Sequence, residues 1–214
     1  MTHRSVVYAA IPVGMLDRAK SRLGAVLDAE ERRDLVAGMA GTTIRAVVGT
    51  AGIADTLVIT PDDVVRALAL DAGARPILQR SRGLNAGLRE ARDEAIAAGA
   101  TSLLIVPIDL PRVTSAAIAE VLAALETAPP PVVVIVTDRH GRGTNALLLS
   151  PPDVIDVQFG GDSRDAHVAA ATAAGARVVE LGGPLSDDLD TPDDLLLAQA
   201  HALQGAEGTE AAHG

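Results

Sequence analysis

Short apolar runs alternate with longer amphipathic segments along this chain, and proline, glycine or acidic residues separate them. Uninterrupted apolar runs are typical of strands that a parallel sheet buries on both faces, and amphipathic segments are typical of helices packed on such a sheet. Strands are predicted over 6–13, 56–60, 75–79, 103–106, 132–136, 146–149 and 177–181. Helices are predicted over 28–48, 62–72, 84–98, 115–127 and 163–174, with a last one starting at 191. This alternation predicts an α/β fold, an open and mostly parallel sheet with right-handed crossovers.

The length of the chain suits one domain of this kind. Of its 214 residues, 48% are hydrophobic and 1% aromatic, so Ala, Val, Leu and Ile must build the core. No polar linker divides the sequence, and we therefore expect a single domain over 1–203. Residues 204–214 are mostly small or polar, and we expect them to form a disordered tail.

Composition argues against several classes of function. The net charge is -10 with no basic stripe, which argues against nucleic acid as a partner. The absence of cysteine excludes disulfides, zinc-thiolate sites and a thiol nucleophile. The first apolar run, 6–13, is too short to span a bilayer, which needs about 20 residues. A strand-helix pattern follows it rather than a cleavage site, so we expect a cytoplasmic protein without a membrane partner.

Acidic residues stand where a parallel sheet would bind a ligand. Asp109 follows the apolar run 103–106, and ligands of parallel sheets lie beyond the carboxyl ends of the strands. A carboxylate buried there needs a metal ion, a cation or backbone donors, although Asp before Leu-Pro is also ordinary turn chemistry. A second acidic cluster spans 187–194. Its last residues are explained by a helix start, which leaves Asp188 and Asp190 without a structural duty.

The cations and glycines suggest anion binding. Lys20 is the only lysine in the chain, and a compact ammonium is a familiar partner of phosphates, although a solvated surface lysine remains the alternative. The loop 137–145 carries two arginines and two glycines, and Gly160 with Gly161 precedes Ser163 at a helix start, so both segments are candidate anion sites.

Two further polar residues have competing interpretations. Asn85 lies at a helix start, where it could meet an anion or a base edge or could simply cap the helix. His167 follows Ser163 by one helical turn, and we interpret it as structural.

Two separated aspartates, one lysine, several arginines and glycine loops together describe a site for magnesium and phosphates. The sequence has no Gly-x-Ser-x-Gly elbow and no metal-binding histidine pair, which argues against acyl transfer and zinc hydrolysis. It also lacks a Walker-type phosphate loop. Phosphoryl or nucleotidyl transfer through a different loop is the chemistry that remains.

The motifs in combination resemble the phospholactate or phosphoenolpyruvate guanylyltransferases of deazaflavin-coenzyme biosynthesis. The segments that carry the resemblance are Ile11-Pro12-Val13, Ala19-Lys20-Ser21-Arg22-Leu23, Gly83-Leu84-Asn85, Pro107-Ile108-Asp109-Leu110-Pro111, Gly143-Thr144-Asn145-Ala146-Leu147, Phe159-Gly160 with Ser163 and His167, and 188–194. The resemblance implies the three-layer, Rossmann-like fold of the nucleotide-diphospho-sugar transferases. It also implies that GTP is joined to a small phosphorylated acid with release of pyrophosphate.

The resemblance also implies roles for individual residues. Magnesium is assigned to Asp109 and Asp190, the phosphorylated acid to Thr144, Gly160 and Ser163, and the nucleotide to Pro12, Val13, Lys20, Gly83 and Asn85. Phosphate binding is assigned to Lys20 and Arg22, and these two residues form the catalytic set together with Asp109 and Asp190. One departure stands out, since Gly14 occupies the position after Ile-Pro-Val where the family usually has a lysine.

A mechanism follows from charge. The second pKa of a phosphate is about 6, so the substrate's own phosphate is already an ionised nucleophile and no general base is needed. Magnesium, Lys20 and Arg22 would offset the repulsion between two polyanions and the charge on the leaving pyrophosphate.

Two other interpretations compete with this one. One is another nucleotidyltransferase of the same fold, such as a molybdopterin guanylyl- or cytidylyltransferase, which usually has a glycine-rich first loop. The other is a receiver-type signalling module, which needs a lysine after a late strand. The identity of the acid, the strictness for guanine and the oligomeric state stay open at this stage.

Overall fold

The computed structural model describes residues 5–210, and within this range seven strands form one sheet in the order β3-β2-β1-β4-β6-β5-β7. The strands are β1 (Val7–Pro12), β2 (Ile53–Thr60), β3 (Arg75–Leu78), β4 (Ser102–Ile105), β5 (Val132–Thr137), β6 (Thr144–Ser150) and β7 (Arg177–Leu181). Every pairing is parallel except the two made by β6. The predicted open, mostly parallel sheet is therefore confirmed.

Helices cover both faces of this sheet. They are α1 (Ala29–Val48), α2 (Asp63–Asp71), α3 (Leu84–Ala97), α4 (Ser115–Thr127), α5 (Ser163–Ala173) and α6 (Pro192–Glu210), with 3-10 turns at Leu16–Arg18, Ser21–Ala25 and Pro184–Ser186. The last helix extends beyond position 204, where the sequence predicted that ordered structure ends, and residues 211–214 of that predicted tail lie outside the described range. Among the described residues, no helix is long and apolar enough to cross a membrane.

The core lies in two layers because successive residues of a strand point to opposite faces. In β4, Leu104 packs with the layer under α1, α2 and α4, whereas Leu103 and Ile105 pack with the layer under α3 and α5. All three of these side chains are fully buried. This alternation explains why the strands read as continuous apolar runs in the sequence, and it confirms the three-layer arrangement.

Local capping fixes where the helices start. Asp28 accepts a hydrogen bond from the N–H of Glu31 at 2.9 Å, and Glu31 accepts one from the N–H of Asp28 at 2.8 Å, which forms a capping box at the start of α1. Asp62, rather than Asp63, caps α2 and also accepts the N–H of Leu16 at 3.1 Å. That last bond ties the loop after β1 to the end of β2.

One predicted boundary was wrong in a way that affects the site. The sequence placed residues 144 and 145 in a loop, but β6 begins at Thr144, and both residues are buried. The reason is that β6 runs antiparallel beside β5, so Thr144 pairs with Thr137 across the turn between them. The start of β6 consequently lies at the same sheet edge as the carboxyl ends of the parallel strands.

The order of the strands also locates a crevice. The chain passes from β1 outward through β2 to β3, and then returns to place β4 on the other side of β1. Such a switch point leaves a crevice beyond the carboxyl ends of the two central strands, where α/β sheets bind their ligands. The loops that follow β1 and β4 carry Lys20 and Asp109, respectively.

Candidate active site

Lys20 lies between two of the predicted aspartates. Its Nζ donates to Asp109 Oδ2 at 3.0 Å and to Asp190 Oδ1 at 2.5 Å. Burial lowers the pKa of Lys20, but the two carboxylates outweigh that effect and the pKa is raised. Arg22 is exposed, with its Nη1 4.0 Å from Asp190 Oδ2. The structure thus brings together all four residues that the sequence predicted to be catalytic.

The backbone of Lys20 is itself unusual. Its φ of 51° lies in the left-handed region, which non-glycine residues rarely adopt. Strained residues of this kind persist only when their surroundings hold them, and they cluster at functional sites. Here, the ammonium's two ion pairs and the 3-10 turn that begins at Ser21 hold the conformation.

Asp194 shapes the loop that presents Asp190. It accepts the N–H groups of Asp190 at 2.9 Å and Thr191 at 2.7 Å, and it forms an ion pair with Arg139. Burial alone would raise the pKa of Asp194, but these donors lower it to about 2. The N–H of Leu189 also donates to the carbonyl of Asp109 at 2.9 Å, which joins the two acidic loops directly.

Asp188 is a site residue that the sequence analysis left unassigned. Its Oδ1 is buried and has no hydrogen-bond partner among the described side chains and backbone of residues 5–201, and the side chain lines the same cavity as Asp109 and Asp190. Burial raises the pKa of Asp188, and the charges of Asp190 and Asp109 raise it further. Its lack of a structural duty in the acidic cluster was the signal that could have identified it.

This set of donors fits a hard divalent cation. Such ions take carboxylate oxygens, and the unpartnered oxygen of Asp188 stands beside the two carboxylates that Lys20 holds. Among the side chains that the structure describes, those of residues 5–201, no three acidic or histidine side chains converge closely enough to form a ready-made metal site. The Lys20 ammonium now lies between Asp109 and Asp190, so a metal that bridged those two carboxylates would have to displace it.

These aspartates border a cavity of about 710 Å³, which we call the aspartate-lined cavity. Another part of its lining contains Thr144, Gly160 and Ser163, the residues predicted to hold the acid, and we call this part the wall. Ser163 Oγ accepts the N–H of Thr144 at 2.9 Å. Gly160 has a φ of 147°, which favours glycine, and an added Cβ would meet nothing within 4 Å. The loop before α5 therefore leaves open space beside this wall.

His167 lies behind Thr144, as the structural interpretation expected. Its Nδ1 is 3.0 Å from Thr144 Oγ1, and its Nε2 accepts the N–H of Gln158 at 3.0 Å. Burial lowers the pKa of His167 to about 4, so the ring is neutral at physiological pH. The histidine stands 0% exposed, which excludes direct contact with a ligand in this conformation.

A second cavity of about 740 Å³ adjoins the first, and Leu84 lines both. We call it the arginine-lined cavity because Arg18, Arg80 and Arg82 all line it. The predicted nucleotide residues Pro12, Val13 and Gly83 line it as well. Sequence reasoning missed the three arginines because arginine supplies nearly every cation in this chain, so its presence in a loop carries little information.

Two predicted nucleotide contacts point elsewhere in the structure. The side chain of Asn85 donates to the carbonyl of Phe159 at 2.9 Å and accepts the N–H of Phe159 at 2.8 Å, so both of its polar atoms hold the loop before α5. Lys20 directs its ammonium at the aspartates. The roles of Asn85 and Lys20 toward a nucleotide stay predictions.

Comparison with known proteins shows close relatives. A family model described as "Guanylyl transferase CofC like" matches residues 7–210. The phosphoenolpyruvate guanylyltransferase of Sphaerobacter thermophilus is 41% identical over 203 residues, which cover 94% of this chain and 97% of that protein. The protein of the same name from Rubrobacter xylanophilus is 42% identical over 196 residues, covering 91% of this chain and 94% of its own.

A solved structure has a similar fold. A protein from Desulfovibrio desulfuricans, named as a nucleotide-diphospho-sugar transferase, superposes with a TM-score of 0.72 over 89% of this chain and 85% of its own. The sequence identity is 17%, so the likeness concerns the fold alone. It agrees with the nucleotide-diphospho-sugar transferase fold that the sequence motifs implied.

Proposed function

This chain belongs to the family of CofC-like guanylyl transferases, and we propose on that premise that it joins GTP to phosphoenolpyruvate and releases pyrophosphate. 2-Phospho-L-lactate is the alternative acid. The observation that carries the proposal is the pair of adjoining cavities, one lined by three arginines and the other by five aspartates and by the hydroxyl-bearing residues Thr144 and Ser163. A polyanionic nucleotide and a small anion can meet between them, beside Lys20.

The reaction is a displacement at phosphorus. A phosphate oxygen of the acid forms a bond to the α-phosphorus of GTP, and the bond from that phosphorus to the β-phosphate bridging oxygen breaks. The attacking phosphate is already ionised at neutral pH, because its second pKa is about 6. No side chain has to remove a proton, which agrees with the burial and neutrality of His167.

The nucleotide occupies the arginine-lined cavity in this proposal. The guanine and ribose lie along Pro12, Val13 and Gly83, and Arg18, Arg80 and Arg82 supply the positive charge that the triphosphate requires. Asn85 acts indirectly, because its side chain makes hydrogen bonds to the backbone of Phe159.

The acid occupies the aspartate-lined cavity, where the hydroxyls of Thr144 and Ser163 and the backbone beside Gly160 face it. Lys20 and Arg22 stand where the two substrates meet and neutralise their charge. Residues 1–203 act as one nucleotidyltransferase domain, which we propose works in the cytoplasm as part of deazaflavin-coenzyme biosynthesis.

Magnesium is the proposed cofactor. Asp109 and Asp190 would hold it, with the unpartnered Oδ1 of Asp188 as a further oxygen ligand. A bound magnesium ion would withdraw charge from the phosphates and from the departing pyrophosphate. The chain's own contribution is to aim these carboxylates into the cavity through the hydrogen bonds of Asp194 and Leu189.

The test is pyrophosphate release by the purified protein. Four nucleotides are each combined with phosphoenolpyruvate, 2-phospholactate and phosphoglycerate, with and without magnesium. We expect release with GTP and phosphoenolpyruvate only when magnesium is present. Asp109→Asn serves as the matched inactive control. Pyrophosphate release with a nucleotide alone would contradict the proposal. A failure to release pyrophosphate with any of the three acids would contradict it as well.

A further inference from the structure

His167 is fully buried behind the aspartate-lined cavity, yet the proposed reaction uses it neither as an acid nor as a base. Its two ring nitrogens nevertheless both make hydrogen bonds, one to Thr144 and one to Gln158. A buried histidine with two different partners has a defined tautomer, because each partner decides where the ring proton can be. The direction of these bonds has consequences for the cavity wall.

The N–H of Gln158 fixes one end of the ring. A backbone N–H can only donate, so Nε2 of His167, at 3.0 Å, must present its lone pair. The ring is neutral, because burial lowers the pKa of His167 to about 4. A neutral imidazole carries one proton, which must then lie on Nδ1. His167 therefore donates to Thr144 Oγ1 across 3.0 Å.

The direction of that bond determines what the Thr144 hydroxyl can offer. Its oxygen already accepts a proton from His167, so its own O–H is available as a donor to the cavity. The neighbouring wall residue has the same polarity, because Ser163 Oγ accepts the N–H of Thr144 at 2.9 Å. Thr144 and Ser163 are almost fully buried, at 7% and 2% exposure, so bulk water does not compete strongly for their hydroxyls.

We propose that His167 is a positioning residue that makes Thr144 a hydrogen-bond donor toward the acid, so that this wall selects fully ionised anionic oxygens. The inference rests on the proposed function, because it takes the phosphorylated acid to bind in the aspartate-lined cavity. A ligand oxygen that carries its own proton, as in a protonated phosphate or a hydroxyl, is a weaker acceptor for these two donors than a fully ionised oxygen. Selectivity of this wall then depends on a side chain that never touches the substrate.

Two substitutions separate the two hydrogen bonds of His167. In His167→Gln, the longer amide can still accept the Gln158 N–H, but nothing replaces Nδ1. In His167→Asn, the shorter amide can still donate to Thr144, but the Gln158 N–H loses its acceptor. Thr144→Val removes the hydroxyl while it keeps the shape of the side chain.

We expect His167→Gln to raise the KM for phosphoenolpyruvate about ten-fold, the factor for a lost bond of roughly 1.4 kcal/mol. The kcat and the KM for GTP should stay within about two-fold of the wild type. His167→Asn should keep the acid KM within about three-fold, although its melting temperature falls. The double variant His167→Gln/Thr144→Val should be no worse than Thr144→Val, because the histidine acts through that hydroxyl.

The possible outcomes are distinct. A wild-type protein that releases no pyrophosphate would overturn the proposed function. A wild type that works while His167→Gln keeps its acid KM would overturn this inference alone. A merely structural histidine would make both variants lose stability and affect GTP and the acid alike. If His167→Gln does not fold, His167→Asn still decides, because a ten-fold loss of acid affinity in that variant would contradict the proposal.

Discussion

The two sides of the candidate site are built on opposite physical principles. On one side, Lys20 is clamped between Asp109 and Asp190, whose side chains are 30% and 41% exposed. On the other, Ser163 and His167 are 2% and 0% exposed, and each makes an uncharged hydrogen bond to Thr144. Coulomb attraction weakens slowly with distance, whereas a hydrogen bond fails when its angle or its polarity is wrong. The charged side is therefore suited to accelerating the reaction, and the neutral side is suited to selecting the substrate.

The two sides also differ in how the chain supports them. On the charged side, the single side chain of Lys20 contacts two aspartates that lie 89 and 170 residues further along the chain, each in a different loop. The neutral side is carried by the first residue of α5 and the first residue of β6, both of which belong to regular elements. Substitutions on the charged side should thus change turnover more than substrate affinity, and substitutions on the neutral side should do the reverse.

The largest effect is expected from the aspartates. Asp109→Asn and Asp190→Asn each remove a charge that a divalent cation needs but keep the side chain's shape. We expect kcat to fall at least about 100-fold, which corresponds to roughly 2.7 kcal/mol, with little change in melting temperature. Turnover at saturating GTP and acid is measured as magnesium is varied. Asp193→Asn, an exposed acid in the first turn of α6, is the control. A near wild-type rate for Asp190→Asn at limiting magnesium would refute a shared metal site.

Lys20 should give the next largest effect. Lys20→Ala is expected to lower kcat about 30-fold, and Lys20→Arg less, because a planar fork replaces a compact ammonium without losing its charge. Removing the ammonium also leaves Asp109 and Asp190 without their shared cation. Magnesium should then bind Lys20→Ala more tightly than the wild type, as measured by calorimetry without substrates.

The control for Lys20 is Arg66→Ala, which removes an exposed cation on α2 that pairs with Asp63. If Lys20→Ala keeps its turnover within a factor of about two, the residue does not neutralise the phosphates, and Arg22 with the metal must do so alone. If its magnesium affinity falls, the ammonium does not compete with the metal.

Substitutions on the neutral side of the site should change the affinity for the acid more than the affinity for GTP. Ser163→Ala removes a hydroxyl that lines the aspartate-lined cavity and accepts the Thr144 N–H. We expect the affinity for the acid to fall about ten-fold, within the 1–3 kcal/mol range of a lost charge-assisted hydrogen bond, and the affinity for GTP to change little. Both affinities are measured by calorimetry. Thr172→Ala removes an exposed hydroxyl from the same helix and serves as the control. An equal loss for both substrates would argue against this assignment.

The arrangement of the site was predictable from the sequence where strand ends determine it. Lys20 and Asp109 follow the apolar runs of β1 and β4, and parallel strands bring their carboxyl ends to one edge. Asp190 could be added because the neighbouring helix start left it without a structural duty. The fold was predictable for the same reason, since a strand buried on both faces cannot be mistaken for an amphipathic helix.

Contacts that depend on loop conformation were not predictable. Nothing local to Asn85 reveals that its amide holds Phe159, which lies 74 residues away. The missing structural duty of Asp188 could be read from the sequence, but its buried, unpartnered oxygen and the pairing of Asp187 with Arg112 depend on the loop conformation. Thr144 was placed in a loop because a polar residue after glycine is typical of one, and only the antiparallel pairing with β5 makes it a strand residue.

Acid should destabilise the folded protein through His167. The folded-state pKa of His167 is about 4, below the ordinary 6.5, so the unfolded chain binds more protons between these values. The contribution of His167 to the free energy of unfolding is thus fully present above pH 6.5 and is lost as the pH falls toward 4. Linkage gives a loss of roughly 1 kcal/mol in unfolding free energy between pH 7 and 5.5. Urea unfolding of the wild type should show this loss, and His167→Gln should lack it. Parallel pH profiles for the two proteins would show that the histidine does not titrate in this way.

The smallest effect concerns Gly14, the position at which the family resemblance of the sequence motifs implies a lysine. Gly14 lines the arginine-lined cavity, and an added Cβ there would meet nothing within 4 Å, so Gly14→Lys can be accommodated. Because Arg18, Arg80 and Arg82 already line that cavity, we expect the KM for GTP to fall only about two-fold, the scale of roughly 0.5 kcal/mol for an exposed charge pair. The gain should be larger in the Lys20→Ala background, where cationic charge is scarcer, and a double-mutant cycle measures the difference. Gly38→Lys adds the same charge to an exposed position of α1 and is the control. An equal fall in the KM for GTP in this variant would show that the effect comes from net charge alone. A fall in the KM for the acid instead of GTP would reverse the assignment of the two cavities.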